Sequence, residues 1–352
     1  MIPHLFDFID ILGGLALFLY GVEESTSAFA TSFGGPFREL MIRFTRRKPM
    51  ALLFGMILAA IAQGSTVATS FAIGFVDVGM LSFAGSVVVM MGASVGGTFV
   101  TFLLSLDIVA FSPLLLAVSL LMTRFGKGKT AKMGNVLRSL SLVLLGMFVL
   151  KLGVGPLLAD PRFGQLAARV AGNPFLTGFA ALAATGVLQS SSAVMALAVA
   201  LATAGALPLS AVFPVVMGAH VGSSVTVLLA GLSGKQNARK LGICTFVYKL
   251  SGVLLLIPLL PWIEMLLSRA GGPISGTIVM AQVGMTVFNA LVFYPFTDLL
   301  ASISGQIAER TGGERLGSPV YLDEELVEVP SLSILLLSQE MIRLANYMEL
   351  YC

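Results

Sequence analysis

Charged residues are scarce in this chain. Only 11% of its 352 residues are Asp, Glu, Lys or Arg, whereas 57% are hydrophobic, and the mean hydropathy is +0.95. Because a soluble globule needs more polar surface, this composition excludes an ordinary soluble protein and predicts an integral membrane protein. The net charge of +3 is spread over short loops rather than one face, so nucleic acid is not an expected partner.

Cysteines and catalytic motifs are scarce too. Two cysteines, Cys244 and Cys352, cannot build a disulfide framework. The sequence has no metal-spaced cluster of His, Cys and Asp, no G-x-S-x-G elbow and no P-loop, and His220 is the one candidate base near a serine. We therefore expect neither enzymatic activity nor an organic cofactor. Residues 1–4 lack the basic region and cleavage site of a signal peptide, so no removed segment is expected.

Long apolar runs are abundant. The runs that can cross about 30 Å of hydrocarbon are 11–30, 82–104, 137–158, 208–229, 243–263, 278–303 and the shorter 108–122. Two more runs, 49–62 and 174–188, are too short, since 14 residues make roughly 21 Å of helix. Each of these ends at a glutamine and is followed by a second short apolar run. They predict two re-entrant hairpins, whose tips need protein or a water-filled cavity around them.

The two hairpin tips form an internal repeat. Gln189-Ser190-Ser191-Ser192 follows one short run, and Gln63-Gly64-Ser65-Thr66 follows the other 126 residues earlier. A second echo starts 29 positions after each glutamine: residues 92–98 match residues 218–224 at the same offset (218 − 92 = 126). Polar, helix-breaking segments at matching places in two apolar halves are typical of the binding site of a transporter.

The distribution of Lys and Arg tests this topology. With the N-terminus outside and both hairpins returning to their own side, thirteen basic residues fall in the inside loops: Arg38, Arg43, Arg46, Arg47, Lys48, Arg124, Lys127, Lys129, Lys132, Arg138, Lys235, Arg239 and Lys240. Three fall outside: Arg162, Arg169 and Arg269. This bias follows the positive-inside rule and predicts a cytoplasmic C-terminus in the cell membrane. Each repeat has three crossings, an odd number, so the second copy should be inverted.

The predicted fold is therefore an all-α polytopic membrane protein with two inverted repeats, each containing a re-entrant hairpin and a broken transmembrane helix. The first repeat spans 1–135, with its hairpin at about 49–79 and its broken helix at about 82–104. The second repeat and a final transmembrane helix span 136–308, with the hairpin at about 174–205 and the broken helix at about 208–230. Residues 309–352 form a cytoplasmic tail with an amphipathic helix at 331–350.

The hairpin tips predict an anion site. A tip leaves the first N–H groups of its returning helix unpaired, and these groups and the helix dipole attract anions. Hydroxyls can donate to the same oxyanion, and a glutamine offers both an amide donor and a carbonyl. The predicted substrate-binding residues are Gln63, Gly64, Ser65, Thr66, Gln189, Ser190, Ser191 and Ser192.

The second echoes allow two interpretations. If their glycines unwind the helices in mid-span, freed carbonyls suit sodium, with Ser94, Thr98, Ser223 and Ser224 as hydroxyl ligands. Alternatively, Gly92 to Gly96 and Gly218 to Gly222 are small-xxx-small faces that only let helices pack closely. The occurrence of four motifs in two symmetric sets favours the binding interpretation.

Several isolated polar residues remain. Lys249 either extends to the membrane surface or belongs to a site, whereas Lys151 is expected to extend to the surface. His220 either touches substrate or caps backbone. Glu23 and Glu24 are expected at the cytoplasmic interface, where one could reach a cation site. Asp77 and His4 are expected to be solvated.

These motifs resemble the sodium-dependent phosphate cotransporters of the type II class and their bacterial relatives. Members of that family have two inverted repeats, each with a QSSS hairpin tip and a later GANIGTT-like broken helix. The resemblance covers residues 12–300 and includes residues 14–21, 238–240 and 288–289. Residues 321–323 onward are similar to the start of the PhoU-like helical domain of many bacterial members. The resemblance implies that the tips and the broken-helix hydroxyls bind phosphate and sodium, and it adds Asn289 to the sodium ligands.

The chain departs from the family pattern at several positions. Gly64 replaces a serine, and Ser94 and His220 replace two asparagines. Thr245 and Lys249 stand where the family usually has His and Asn. A lost hydroxyl and a gained cation can change the sodium stoichiometry, the driving ion or the anion, with His220 and Lys249 as modulators.

Three functions follow from the sequence. The leading one is a secondary carrier of inorganic phosphate, sodium-coupled, that works by alternating access around a midplane site between the tips. The second is a carrier or exporter of another small oxyanion that sodium does not drive, with Lys249 supplying the positive charge. The third is a membrane phosphate sensor that signals through its tail without transport. The expected partners are inorganic phosphate or a similar oxyanion, the lipid bilayer and a second copy of the chain as a homodimer.

Overall fold

A computed structural model describes residues 3–45, 47–77, 81–233 and 236–311, together with 337–338 and 341–342. Throughout these residues the regular structure is helical, so the all-α prediction is confirmed. Fifteen α-helices lie in the described part of the chain. In the first half they are α1 (Pro3–Phe44), α2 (Lys48–Ile61), α3 (Ser65–Asp77), α4 (Phe83–Gly96), α5 (Thr98–Ser105), α6 (Ser112–Phe125) and α7 (Lys129–Ala159). In the second half they are α8 (Pro161–Ala171), α9 (Pro174–Leu188), α10 (Ser191–Thr203), α11 (Leu209–Ser233), α12 (Gln236–Leu256), α13 (Leu260–Ala270), α14 (Ile274–Phe293) and α15 (Thr297–Thr311).

Seven segments of the described chain are long and apolar enough to cross a membrane, and each overlaps one of the seven predicted runs. They are Leu5–Ser25, Phe83–Ser105, Ile108–Phe125, Lys129–Ala159, Leu209–Leu229, Gln236–Arg269 and Ile274–Ala308. An eighth arises if α8 and α9, which are bent by 104° at residues 172–173, count as one span. The sequence interpretation did not include α8 as a helix.

Two pairs of short helices stand apart from these segments. α2 and α3 have 14 and 13 residues, and α9 and α10 have 15 and 13, so each arm is roughly 20 Å long. The two arms of each pair contact each other and pack on one further helix, α4 for the first pair and α11 for the second. Packing of both arms on one helix is the arrangement of a hairpin, so we call these pairs the first and second hairpin.

Local sequence explains where the hairpin arms begin. Proline occupies the first turn of both α2 and α9, where its missing N–H has no helical partner in any case. The Asn173 side chain caps α9 by accepting hydrogen bonds from the amides of Phe175 and Leu176 at 3.0 and 3.1 Å. Ser190 caps α10 by accepting from the Ala193 amide at 3.2 Å.

Glycines bring each hairpin into backbone contact with its packing helix. A Cβ on Gly92 of α4 would lie 2.0 Å from the Leu52 carbonyl oxygen, and a Cβ on Gly218 of α11 would lie 2.1 Å from the Gly178 carbonyl oxygen. The two contacts are equivalent, since 92 + 126 = 218 and 52 + 126 = 178. The close-packing interpretation of these glycines therefore holds in both halves.

The prediction of a broken helix needs correction. In the first half the break is small: α4 ends at Gly96, and α5 starts again at Thr98 after the single turn residue Gly97. In the second half α11 is continuous from Leu209 to Ser233, so an unwound segment at residues 218–224 is wrong. The physical reason is that the glycines serve helix packing, and continuous hydrogen bonding keeps the backbone polar groups satisfied.

The chain divides into two compact units, Met1–Ala308 and Glu309–Cys352. Helices α1 to α14 and both hairpins belong to the first unit. The amphipathic helix predicted at 331–350 lies outside the described residues, apart from the four at 337–338 and 341–342. The inverted relation of the repeats and the sidedness of the termini remain predictions.

Candidate functional site

The tip of each hairpin turns at its glutamine. Gln63 has φ = 54° and Gln189 has φ = 52°, and these are the only non-glycine residues with positive φ in the described chain. A left-handed residue at a helix C-terminus stops the helix and redirects the chain. The two glutamines are 126 residues apart, so the repeated sequence produces the same backbone conformation twice.

The two tips contact each other. The Ser192 hydroxyl donates a hydrogen bond to the Gln63 carbonyl oxygen at 3.4 Å, across 129 residues of sequence. Gly97, at the interruption between α4 and α5, lies against the first tip: a Cβ there would be 3.1 Å from the Ser65 nitrogen. The tips and this interruption therefore meet in one region of the first unit.

A cavity of about 600 Å³ opens between the tips. All eight predicted substrate-binding residues line it, and so do five apolar or acidic neighbours. The lining consists of Leu19, Val22, Glu23, Gln63, Gly64, Ser65, Thr66, Val67, Leu188, Gln189, Ser190, Ser191 and Ser192. Because α3 and α10 begin at these tips, their first N–H groups have no partners within their helices. The cavity thus combines hydroxyls and helix N-termini, the donors that an oxyanion needs.

The tip hydroxyls have different surroundings. Ser190 caps α10 and Ser192 binds the opposite tip, so both have structural contacts. Ser65 and Ser191 are equivalent in the repeat (65 + 126 = 191), line the cavity and are half-buried. Their hydroxyls make no hydrogen bond to another described residue, which leaves them open to a ligand.

The cavity holds one charged side chain, Glu23. It lies on α1 next to Val22, one turn from Leu19, and the three residues form one wall. Its neighbour Glu24 instead pairs with Arg138 at 2.8 Å. The sequence interpretation expected Glu23 and Glu24 at the cytoplasmic interface, with one able to reach a cation site, and named neither among the substrate or sodium ligands. The signal was a carboxylate within an apolar run, which is costly enough to indicate function.

The predicted sodium ligands are not among the residues that line the cavity. Their hydroxyls donate to carbonyls of their own helices: Ser94 to Met90, Thr98 to Val95, Ser223 to His220 and Ser224 to Val221. The bonds of Thr98 and Ser224 are equivalent in the repeat, since 98 + 126 = 224 and 95 + 126 = 221. The oxygens keep lone pairs, but α11 is helical through residues 218–224, where the unwound segment was predicted.

Lys249 is buried on α12, with 2% of its surface exposed. Its ammonium donates to the Ser223 hydroxyl at 2.7 Å, so Lys249 does not extend to the membrane surface. No carboxylate in the described chain pairs with it. The lysine Nζ therefore lies beside one of the predicted sodium ligands.

Two further predicted residues lie in the helix core. His220 is buried within the continuous α11, and its Nε2 has no hydrogen-bond partner. Asn289 of α14 is fully buried against Gly252, and neither atom of its amide has a partner. Buried polar atoms usually have a hydrogen-bond partner, so these two side chains are exceptions in the core.

The two short hairpins meet at a polar cavity within a bundle of membrane-length helices. This arrangement defines a polytopic membrane protein with an internal site. Membrane transporters belong to this class. The sequence profile of the Na⁺/Pi-cotransporter family matches residues 17–152 and 156–288, and the chain belongs to this family. Each matched stretch contains one glutamine-led tip. The family confirms the resemblance found in the sequence and shows a multi-pass membrane protein.

The individual relatives have low sequence identity to this chain. The "Putative inorganic phosphate export protein YjbB" of Escherichia coli K12 is 23% identical over 343 residues, which cover 97% of this chain and 63% of that protein. The chain thus spans less than two thirds of that relative. "Uncharacterized protein YqeW" of Bacillus subtilis is 24% identical over 287 residues, 81% of this chain and 93% of that protein. Human "Sodium-dependent phosphate transport protein 2B" is 28% identical over 142 residues, 37% of this chain and 20% of that protein. No solved structure matches the chain.

Proposed function

We propose that this protein is a secondary active transporter of inorganic phosphate, coupled to sodium, that works by alternating access around the cavity between the hairpin tips. The observation that carries the proposal is the meeting of the two tips at Ser192 and Gln63. A site shared by two halves can open to either side as the halves move against each other, which is the requirement of alternating access.

The cavity suits a small tetrahedral anion. Hydroxyls of Ser65, Thr66 and Ser191 offer donors from both tips, and the N-termini of α3 and α10 add backbone N–H groups. Such donors bind phosphate oxygens without a fixed cationic side chain. Relatives whose names contain phosphate export and sodium-dependent phosphate transport support the choice of phosphate and sodium.

Uptake of labelled phosphate into proteoliposomes tests the proposal. With purified protein, an inward sodium gradient should drive accumulation above the level reached with potassium or choline. Binding of phosphate without flux would instead indicate a sensor. The name of one relative specifies phosphate export, so efflux from preloaded vesicles should be measured alongside uptake.

The tip serines provide the sharpest variants. Ser65→Ala and Ser191→Ala each remove a hydroxyl of a cavity-lining residue that makes no hydrogen bond in the described chain. A hydrogen bond to a charged group is worth about 1.5–3 kcal/mol, so each KM for phosphate should rise roughly 10- to 100-fold. Ser70→Ala is the control, because Ser70 is exposed one turn along α3 and bonds to the Thr66 carbonyl of its own helix. Normal transport by the Ser191→Ala variant would remove the second tip from the mechanism.

Lys249 favours a second candidate, a carrier that sodium does not drive. Its ammonium already lies 2.7 Å from the Ser223 hydroxyl, where the sequence predicted a sodium ion. A tethered positive charge can take the place of a bound cation. Phosphate flux that is equal in sodium and choline would select this candidate.

A further inference from the structure

The polar groups that line the cavity between the tips are of two kinds. Hydroxyls of both tips and the first amides of α3 and α10 can donate hydrogen bonds. Glu23, on the wall formed by α1, is the single charged residue in the lining, and a carboxylate only accepts hydrogen bonds. An anion in this cavity therefore meets donors from the two hairpins and, from α1, one side chain that can only accept.

Contacts on either side of Glu23 fix this part of α1. Two residues before it, a Cβ on Gly21 would lie 2.6 Å from the Val143 nitrogen of α7, so the two backbones touch. Two residues after it, the buried Ser25 hydroxyl donates to the Ile61 carbonyl oxygen at 3.1 Å and joins α1 to the last residue of α2. The backbone of Glu23 is therefore held beside the first tip, as a residue that selects a ligand needs.

The Glu23 side chain, in contrast to its backbone, is open to a ligand. It is exposed and has no ion pair or hydrogen bond within the described chain. The next residue, Glu24, pairs with Arg138 at 2.8 Å and accepts a hydrogen bond from Tyr20 at 3.4 Å. Of two adjacent carboxylates, one is therefore neutralised by the protein and the other is left to the cavity.

Phosphate and sulfate differ in the one group that a carboxylate can bind. Both are tetrahedral anions of similar size, but at neutral pH phosphate keeps at least one proton and sulfate keeps none. The P–OH group can donate a hydrogen bond to a carboxylate. Sulfate has only acceptor oxygens, so it would meet the negative charge of the carboxylate with no hydrogen bond to offset the repulsion. A site that binds a substrate hydroxyl in this way rejects an analogue that lacks it.

We propose that Glu23 determines the anion specificity of the cavity: its carboxylate accepts a hydrogen bond from the protonated oxygen of phosphate and excludes sulfate. The tip hydroxyls and the N-termini of α3 and α10 bind the unprotonated oxygens. Arsenate also keeps a proton at neutral pH, so it should be accepted like phosphate. The presence of phosphate in the cavity rests on the proposed function, and the selection between oxyanions is what Glu23 adds to it.

Competition for phosphate binding tests this selection without any variant. Binding of radiolabelled phosphate to the purified protein is measured by scintillation proximity at neutral pH, with unlabelled phosphate, arsenate or sulfate as competitor. Arsenate should displace the label at concentrations close to those of phosphate. Sulfate should need about 10- to 100-fold more, the value of one hydrogen bond to a charged group. Equal displacement by arsenate and sulfate would overturn the proposal.

The E23Q variant assigns the selection to Glu23. It removes the negative charge and introduces a donor, so it should weaken phosphate binding and let sulfate compete about tenfold better than in the unmodified protein. E23D keeps the carboxylate and should keep the preference for phosphate over sulfate. The ratio of the two affinities is the readout, because general damage to the cavity weakens both anions alike.

Glu24→Gln is the matched control, since Glu24 lies on the same helix but is paired with Arg138. It should leave the ratio of sulfate to phosphate affinity within twofold of that of the unmodified protein. A folded E23Q variant that still excludes sulfate would overturn the proposal. If E23Q does not fold, the competition by arsenate and sulfate on the unmodified protein and on E23D decides.

Flux separates this proposal from the proposed function. If the protein transports phosphate and E23Q excludes sulfate as well as the unmodified protein does, the proposed function stands and the role of Glu23 fails. If the protein selects phosphate through Glu23 but moves none into proteoliposomes, the transporter proposal fails and the role of Glu23 in binding stands.

Discussion

The four residues of the second tip have separate roles, although they are consecutive in the sequence and form one motif. In the second tip Gln189 turns the chain, Ser190 caps α10 and Ser192 reaches the first tip. Ser191 remains for a ligand. Substitutions within a single motif should therefore separate defects of stability from defects of binding.

The first tip lacks one hydroxyl, and the structure has room for it. Gly64 has a negative φ, and the nearest atom to a Cβ there would be 3.8 Å away. Gly64→Ser should therefore fold normally and add a donor to the cavity. We expect the KM for phosphate to fall about 2- to 10-fold, the value of one net hydrogen bond.

Gly74→Ser is the control for this change. Gly74 lies on the same helix, α3, in open space and outside the cavity lining. It should leave the KM for phosphate unchanged. A higher KM in a correctly folded Gly64→Ser variant would show that the first tip needs a glycine for another reason.

Sequence reasoning located the tip residues because composition and spacing specify them locally. A glutamine followed by small polar residues, after an apolar run too short to cross the membrane, marks the end of a helix. The structure places all eight predicted tip residues in the lining of one cavity. It did not identify Glu23 as a cavity residue or resolve the position of Lys249. Both depend on how α1 and α12 pack against distant segments, which a single sequence does not specify.

At the scale of elements, each hairpin arm and its packing helix form one tight pair. Gly92 and Gly96 of α4 approach the carbonyls of Leu52 and Met56, with a Cβ on either glycine 2.0 Å from the oxygen. At such distances no side chain fits between the helices. The glycines near each predicted sodium site are therefore first of all structural.

Gly218→Ala tests this packing. The new methyl group would lie 2.1 Å from the Gly178 carbonyl oxygen, so α9 and α11 must separate. Overpacking of this kind costs about 1–3 kcal/mol, and the thermal midpoint of the purified protein in detergent should fall. Gly284→Ala in α14 is the control, since nothing lies within 4 Å of that Cβ, and it should have an equal or higher midpoint. Equal midpoints for both variants would contradict the contact.

The membrane-length helices were predictable, whereas the short helix α8 and the continuity of the helices were not. Seven apolar runs gave seven membrane-length segments because hydropathy and length determine them. The same glycine-rich pattern, however, accompanies an interruption at Gly97 and a continuous helix at residues 218–224. Glycine permits both, and the neighbouring carbonyls of the hairpin arm decide between them.

At the scale of the whole molecule, the distribution of basic residues predicts its orientation. Lys127 lies in the loop before α7 and Arg269 near the end of α13, and both are exposed. The topology places Lys127 inside and Arg269 outside. In cells, an impermeant maleimide should label Arg269→Cys at once and Lys127→Cys only after permeabilisation. Cys244 is buried, and the unmodified protein gives the background from native cysteines. Labelling of both variants from one side would contradict the inverted arrangement.

The close packing of each hairpin arm on its neighbouring helix determines which parts of the molecule can move. Backbone lies on backbone between α2 and α4 and again between α9 and α11, so each pair resists internal sliding. The tips, in contrast, are joined by a 3.4 Å bond from one hydroxyl to one carbonyl. We therefore expect a conformational change to separate the two tips before it separates α2 from α4 or α9 from α11. The tips also line the cavity, so the same movement would open it.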